Sequence, residues 1–139
     1  MADTVTGPTT LFESDKKIVR KLVVESDGTG STTVFADVSA LTARGDGTSA
    51  TYVNLQRIWF ACDTGDGGDT HARLDYEDSD ADIPMLGLVG TGHWDFRDFG
   101  GIQPNTTSNS NEYDVNLVIP GQADDGNMYT VVAEFNKVY

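Results

Sequence analysis

Cysteine is nearly absent from this 139-residue chain, and basic residues are few beside acidic ones. Cys62 is the sole cysteine, which leaves no intrachain disulfide and no cysteine-based zinc site. Folding in a reducing cytoplasm is therefore expected. Lys and Arg number 9 against 22 Asp and Glu, a formal net charge of −13. Nucleic acid is gripped by Lys and Arg neutralising phosphates, so no nucleic-acid partner is expected. An anionic membrane surface is disfavoured for the same reason. No apolar run approaches the length of about eighteen residues that a membrane span needs. The opening "MADTVTGPTTLFESDKK" has neither a basic n-region nor an apolar core, so it is not read as a signal peptide.

Catalytic motifs are missing too. His71 and His93 lie in different segments, and neither stands in a pattern that pairs it with a nucleophile. There is no G-x-S-x-G elbow, no H-E-x-x-H and no phosphate-cradling loop. The many carboxylates fall in turns or on polar strand faces, where solvation accounts for them. The expectation is a protein that is no enzyme and carries no cofactor and no catalytic residue.

Helical periodicity is nearly absent, and period-2 alternation takes its place. "EYDVNLVI" sets Tyr113, Val115, Leu117 and Ile119 against Glu112, Asp114 and Asn116. "MYTVVAEFNKVY" aligns Tyr129, Val131, Ala133 and Phe135; "HARLDY" aligns Ala72, Leu74 and Tyr76; "TTVFADV" aligns Val34, Ala36 and Val38. "KKIVRKLVVE" and "TYVNLQRIWFAC" are apolar on parts of both faces, as central or partner-covered strands are. Gly/Asp/Asn turns such as "SDGTGS", "RGDGTS", "DTGDGGDT", "EDSDAD" and "PGQADDGN" separate these runs. About eight strands at this spacing predict an all-β protein, an antiparallel sandwich or jelly-roll-like fold. One short helical turn is expected around "SALTA", capped by Ser39. Residues 1–16 read as an extended N-terminal arm that needs a surface to lie on, and 17–139 as a single sandwich domain. Residues 100–111 read as a long polar loop.

The acidic turns invite a metal reading that the spacing does not sustain. From Asp78, with Asp80 and Asp82 following, the sixth and twelfth positions of a calcium loop would be Ile83 and Val89 rather than Gly and Glu. "DTGDGGDT" is a lone copy of a pattern that binds calcium only in tandem stacks. No metal site is expected, beyond adventitious calcium at Asp63, Asp66 and Asp69. "RGD" at 44–46 reads as a turn, and "NTT" at Asn105 matters only in a secretory pathway. A glycan platform could draw on Trp59, Trp94, Tyr52 and Tyr76, against the commoner fate of strand aromatics as core or interface.

Between residues 71 and 104 the motifs fall into a familiar order. They are Arg73-Leu74-Asp75-Tyr76, an acidic turn at 78–82, an apolar run at 83–89, Gly90-Thr91-Gly92, then Trp94 to Arg97 and Gly100 to Pro104. With "ADTVT" at 2–6, a basic strand at 16–21 and "SDGTG" at 26–30, the chain resembles a family of small virion structural proteins of tailed bacteriophages. The closing strand matches loosely at Gly126, Tyr129, Val131 and Ala133, and "NTTSNSNEYDVNLVI" stands where that family has a Gly-rich loop.

The resemblance implies a particle component made in the host cytoplasm and carried on the virion, expected to be a capsid decoration (cement) protein on the outer head surface. Alternatives are a tail, neck or fibre-attachment protein, or a carbohydrate-binding module. The expected partners are the major capsid protein or another virion protein and further copies of the chain, with a trimer as the expected homo-oligomer. Contacts are expected from Val5, Leu11 and Phe12 in the arm, and from Trp94, Phe96, Arg97 and Phe99 in "HWDFRDFGG". That last stretch reads as an edge strand and corner, with Trp94 and Phe96 on one side and Asp95 and Arg97 on the other.

Overall fold

In the computed structural model of the chain, the described residues are 3–63, 71–77, 82–103, 113–119, 121 and 126–139. Nine strands account for most of them: β1 (Thr4–Glu13), β2 (Lys17–Glu25), β3 (Ser31–Ala36), β4 (Tyr52–Cys62), β5 (Ala72–Tyr76), β6 (Ile83–Leu88), β7 (Gly90–Asp95), β8 (Val115–Ile119) and β9 (Met128–Val138). A five-stranded sheet runs β1-β2-β9-β4-β7 and a four-stranded one β3-β8-β5-β6. Every strand pair is antiparallel. The protein is an antiparallel β-sandwich, as the alternation predicts.

The alternation also chooses the core. Tyr129, Val131, Ala133 and Phe135 point inward from β9, Ile18, Leu22 and Val24 from β2, and Leu74, Leu117 and Val115 face them from the other sheet, all without exposure. Burial of a Leu, Ile or Phe side chain contributes about 1.5–3 kcal/mol, so these rows dominate the stability. The two strands that read as apolar on both faces are interior strands, β2 between β1 and β9, and β4 between β9 and β7. A second cause acts in β4. Its register against β9 skips one residue between Leu55 and Arg57. The inward set therefore changes from Val53 and Leu55 to Ile58, Phe60 and Cys62, switching parity at the bulge.

Another bulge splits the face expected from Val34, Ala36 and Val38: the last two are buried as expected, and Val34 is not. The register against β8 passes from Val34↔Asn116 to Ala36↔Val115, leaving Phe35 as the extra residue. Phe35 is fully buried, its ring 5.8 Å from that of Phe135, while Val34 is 41% exposed. The helical turn is a single 3-10 turn, Val38–Ala40, and its cap is Asp37 rather than Ser39: the Asp37 carboxylate accepts the Ser39 N–H at 3.0 Å.

The stretch expected as an arm supplies the ninth strand, and the surface it lies on is the chain's own. β1 pairs with β2 from Thr4↔Glu25 to Glu13↔Ile18, with register breaks at Thr6/Thr9 and Thr10/Phe12. Both of its ends are fastened. Asp3 accepts the Asp27 N–H at 2.9 Å and the Ser31 hydroxyl at 2.6 Å. Glu13 accepts the Lys137 ammonium at 2.7 Å and the Thr42 N–H at 2.9 Å.

Candidate functional site

Antiparallel register fixes which side chains share the outer face of the five-stranded sheet. One row across it reads Thr9, Lys21, Val132, Trp59, His93, and the next Phe12, Val19, Glu134, Arg57, Asp95. Cross-strand neighbours of this kind interact directly. His93 stacks on Trp59 with ring centroids 4.9 Å apart and planes 10° from parallel. The Arg57 guanidinium lies 5.2 Å from the Trp59 ring, within cation–π reach. Glu134, 5% exposed, holds this face together: Arg57 donates to its two oxygens at 2.9 and 3.2 Å, and Lys17 donates at 3.3 Å. The Arg57 partner, followed by burial acting the other way and then Lys17, leaves the Glu134 carboxyl below its usual value. Beside these residues Trp59, Ala61, Thr91, His93, Thr130 and Val132 line a shallow, mostly apolar groove of about 520 Å³.

The corner after β7 lies at one edge of the same sheet. Phe96 is buried, with Trp94 edge-on at 5.8 Å and Phe99 at 5.9 Å. Trp94 and Phe99 are 47% and 68% exposed. Asp95 and Arg97 form a bidentate pair, with nitrogen–oxygen distances of 2.9 and 2.6 Å. Hydrogen bonding from Arg97 holds the Asp95 carboxyl at about 2. Two glycines close the corner for different reasons. Gly100 takes φ 86° in open space, whereas Gly101, at φ 89°, would place a Cβ 2.7 Å from the Leu55 carbonyl oxygen. Gly101 is what lets the chain return to β4, where Ile102 bridges Leu55.

The seven residues expected to make contacts therefore fall at two places. Trp94, Phe96, Arg97 and Phe99 come together at the β7 corner. Val5, Leu11 and Phe12 sit on β1, exposed by 39%, 54% and 52%. β1 and β7 are opposite edges of the sheet, about 19 Å apart at about 4.8 Å per strand spacing. The four candidate platform aromatics do not share a face. Tyr76 is buried with its hydroxyl 2.7 Å from the Val53 carbonyl, Trp59 points outward under His93, and Tyr52 packs edge-on against Tyr113.

Arg44 of "RGD" is engaged by its own turn, 3.2 Å from Asp46 and 4.4 Å from the Tyr139 ring centroid. Asp66, Asp69, Asp78, Asp80, Asn105 and most of the 100–111 loop lie outside the described residues. No group of three or more His, Cys, Asp or Glu side chains among the described residues is placed to hold a metal ion. Among those residues, no helix is long and apolar enough to cross a membrane. Burial, reinforced by the Asp63 charge, pushes the Cys62 thiol up to about 12, so it stays protonated and is a poor nucleophile. An open cleft of about 750 Å³ is lined by Asp37, Glu77 and Asp114, and two of these carboxylates already accept backbone N–H groups, from Ser39 and Val38.

The Trp59–His93 stack, the Glu134 ion pairs and the Lys137–Glu13 contact escape a reading of the sequence, because each joins residues that only the strand register brings together. The fold and its surface define a class: a β-sandwich whose outward features are two apolar sheet edges and one aromatic sheet face. Comparison of the chain with protein-family models, with curated proteins and with solved structures found no match in any of the three.

Proposed function

We propose that this protein is a structural component of a tailed-phage particle, a capsid decoration protein that binds the outer head surface through its partner, the major capsid protein, and stabilises contacts between capsomers. The observation that carries the reading is where large apolar side chains meet solvent. Val5, Leu11 and Phe12 occupy one edge of the five-stranded sheet, and Val89, Trp94 and Phe99 flank the other. Apolar side chains scattered singly over a surface need no partner, but sets gathered along opposite sheet edges suit a body clamped between two neighbours. The net charge of −13 suits the exterior of a particle whose interior holds DNA. The motif order between residues 71 and 104 supports the same assignment by resemblance.

Mechanically, the sandwich is the rigid spacer, with β1 its grip on the capsid protein and the β7 edge its grip on a neighbouring chain. Binding to purified heads tests this. Replacing Leu11 and Phe12 by Ser, both exposed, is expected to weaken attachment at least tenfold without unfolding the protein. Unchanged attachment by that variant, or by a chain lacking residues 1–12, would refute a role for β1. Imaging of labelled particles is expected to show hundreds of copies over the head, and label confined to a tail or neck would overturn the decoration reading.

A further inference from the structure

We propose that β7 is a strand-pairing edge and that its occupant is β7 of a second copy of this chain, antiparallel across a two-fold axis at Gly92. Among the described residues the sandwich has four edge strands, and three are blunted against pairing. β1 contains Pro8 and two register breaks, β3 carries the Phe35 bulge, and β6 contains Pro84 with a register break beside it. β7 has neither device: it runs from Gly90 to Asp95 in unbroken register against β4 and contains no proline. Head-to-tail pairing needs two different open edges, which leaves the isologous β7–β7 contact.

The backbone of β7 is arranged for it. The Phe96 N–H donates to the Gln56 carbonyl at 2.8 Å, so the even-numbered positions turn their backbone groups toward β4. Thr91 and His93 then present theirs to the open side. With the axis at Gly92, Thr91 lies opposite His93 of the second copy, and the two such pairs exchange four backbone hydrogen bonds. On the inner side, Trp94 falls opposite Gly90 of the second copy. Those glycines leave the row empty, and an indole 47% exposed in the single chain fills it. On the outer side, the Trp59–His93 groove continues across the axis into its own copy.

Charge points to the same place. A chain of net charge −13 repels its copies over most of its surface, yet residues 90–94 carry no formal charge. The charges that flank this stretch in the outer row are already paired within the chain, Asp95 with Arg97 and Arg57 with Glu134. A contact of six-residue strands is small, so the dissociation constant is expected on the order of 10 μM.

Light scattering on the purified full chain reads this without any particle, so failure of head binding and failure of pairing are distinguishable. The expected mass rises with concentration from 15.0 kDa toward twice that value. Thr91→Lys, an exposed change, is expected to weaken pairing at least tenfold. Thr91→Cys and His93→Cys proteins, mixed and oxidised, are expected to cross-link to each other, since a hydrogen-bonded antiparallel pair has Cα atoms about 5.5 Å apart. A monomer at every concentration overturns the proposal. So does a dimer that Thr91→Lys leaves intact and that the mixed cysteine proteins fail to link.

Discussion

The two edges of the five-stranded sheet are built on opposite plans. β1 is ten residues long, interrupted by Pro8 and two register breaks, and pinned at one end by Asp3 and at the other by Glu13. β7 is six residues long, keeps one register throughout, and ends in a corner made by its own aromatic residues and two glycines. Both expose large apolar side chains. On β1 these sit on a strand whose backbone is a poor template for a further strand, so its contacts must be side-chain contacts. On β7 the backbone itself is open. One edge is thus suited to lying on an unlike surface, the other to extending a sheet.

The largest loss is expected at Glu13. The Lys137 side chain is 1% exposed and depends on Glu13 and the Thr42 carbonyl for its partners. Glu13→Gln leaves an uncompensated ammonium in the interior and is expected to cost about 3–5 kcal/mol. Lys137→Met, which removes the buried charge instead, is expected to cost less, and the double variant less than Glu13→Gln alone. Urea melts of the three proteins check the order. If Glu13→Gln is the mildest, β1 is not held in the way its contacts indicate.

At the other edge the sharpest test is glycine against glycine. Gly101→Ala drives a methyl onto the Leu55 carbonyl in a left-handed conformation and is expected to cost about 2–3 kcal/mol. Gly100→Ala meets the same backbone penalty with nothing within 4 Å, and about 1 kcal/mol is expected. Equal losses in thermal unfolding would mean that the corner does not return to β4 as described.

Much of this contrast was legible in the sequence, unevenly. Alternation in "MYTVVAEFNKVY" and "HARLDY" names the buried residues of β9 and β5 correctly, because those strands keep their inward parity throughout. In "TTVFADV" it is right for Ala36 and Val38 and fails at Val34, where one extra residue sends Phe35 inward, since nothing local marks which residue a bulge inserts. The corner could be read from aromatics alternating with charges before Gly100-Gly101. β1 could not, because Thr-rich, Gly-Pro-broken sequence shows no apolar period, and its strand character comes from β2 beneath it. Glu13 meets Lys137 across 124 positions, a separation that no motif spans.

Between the edges, Glu134 ties β9 to β2 and β4. Its carboxyl is held below the usual 4.5 by Arg57 and Lys17. A carboxyl whose folded pKa is depressed adds stability above its unfolded pKa and loses it as pH falls through the folded value. Glu134→Gln is therefore expected to cost about 1–2 kcal/mol at pH 7, and the difference from the unaltered protein should shrink below pH 4.5. A difference that stays constant down to acid unfolding would mean that the carboxylate charge contributes nothing there.

The smallest effect separates the edges most directly. Asp3 fastens the start of β1 through two hydrogen bonds on a partly exposed carboxylate, so Asp3→Ala is expected to cost about 1 kcal/mol in overall stability. Its local effect should be larger. The first amides of β1, from Thr4 to Thr6, are expected to exchange with deuterium faster, because the strand can then fray from its free end without opening the core. Amides of β7 that face β4, such as Gly92 and Trp94, should be unchanged, since nothing in the Asp3 contact reaches across the three strands between. Faster exchange at both edges would mean that they open together, and the sheet would then have one edge behaviour rather than two.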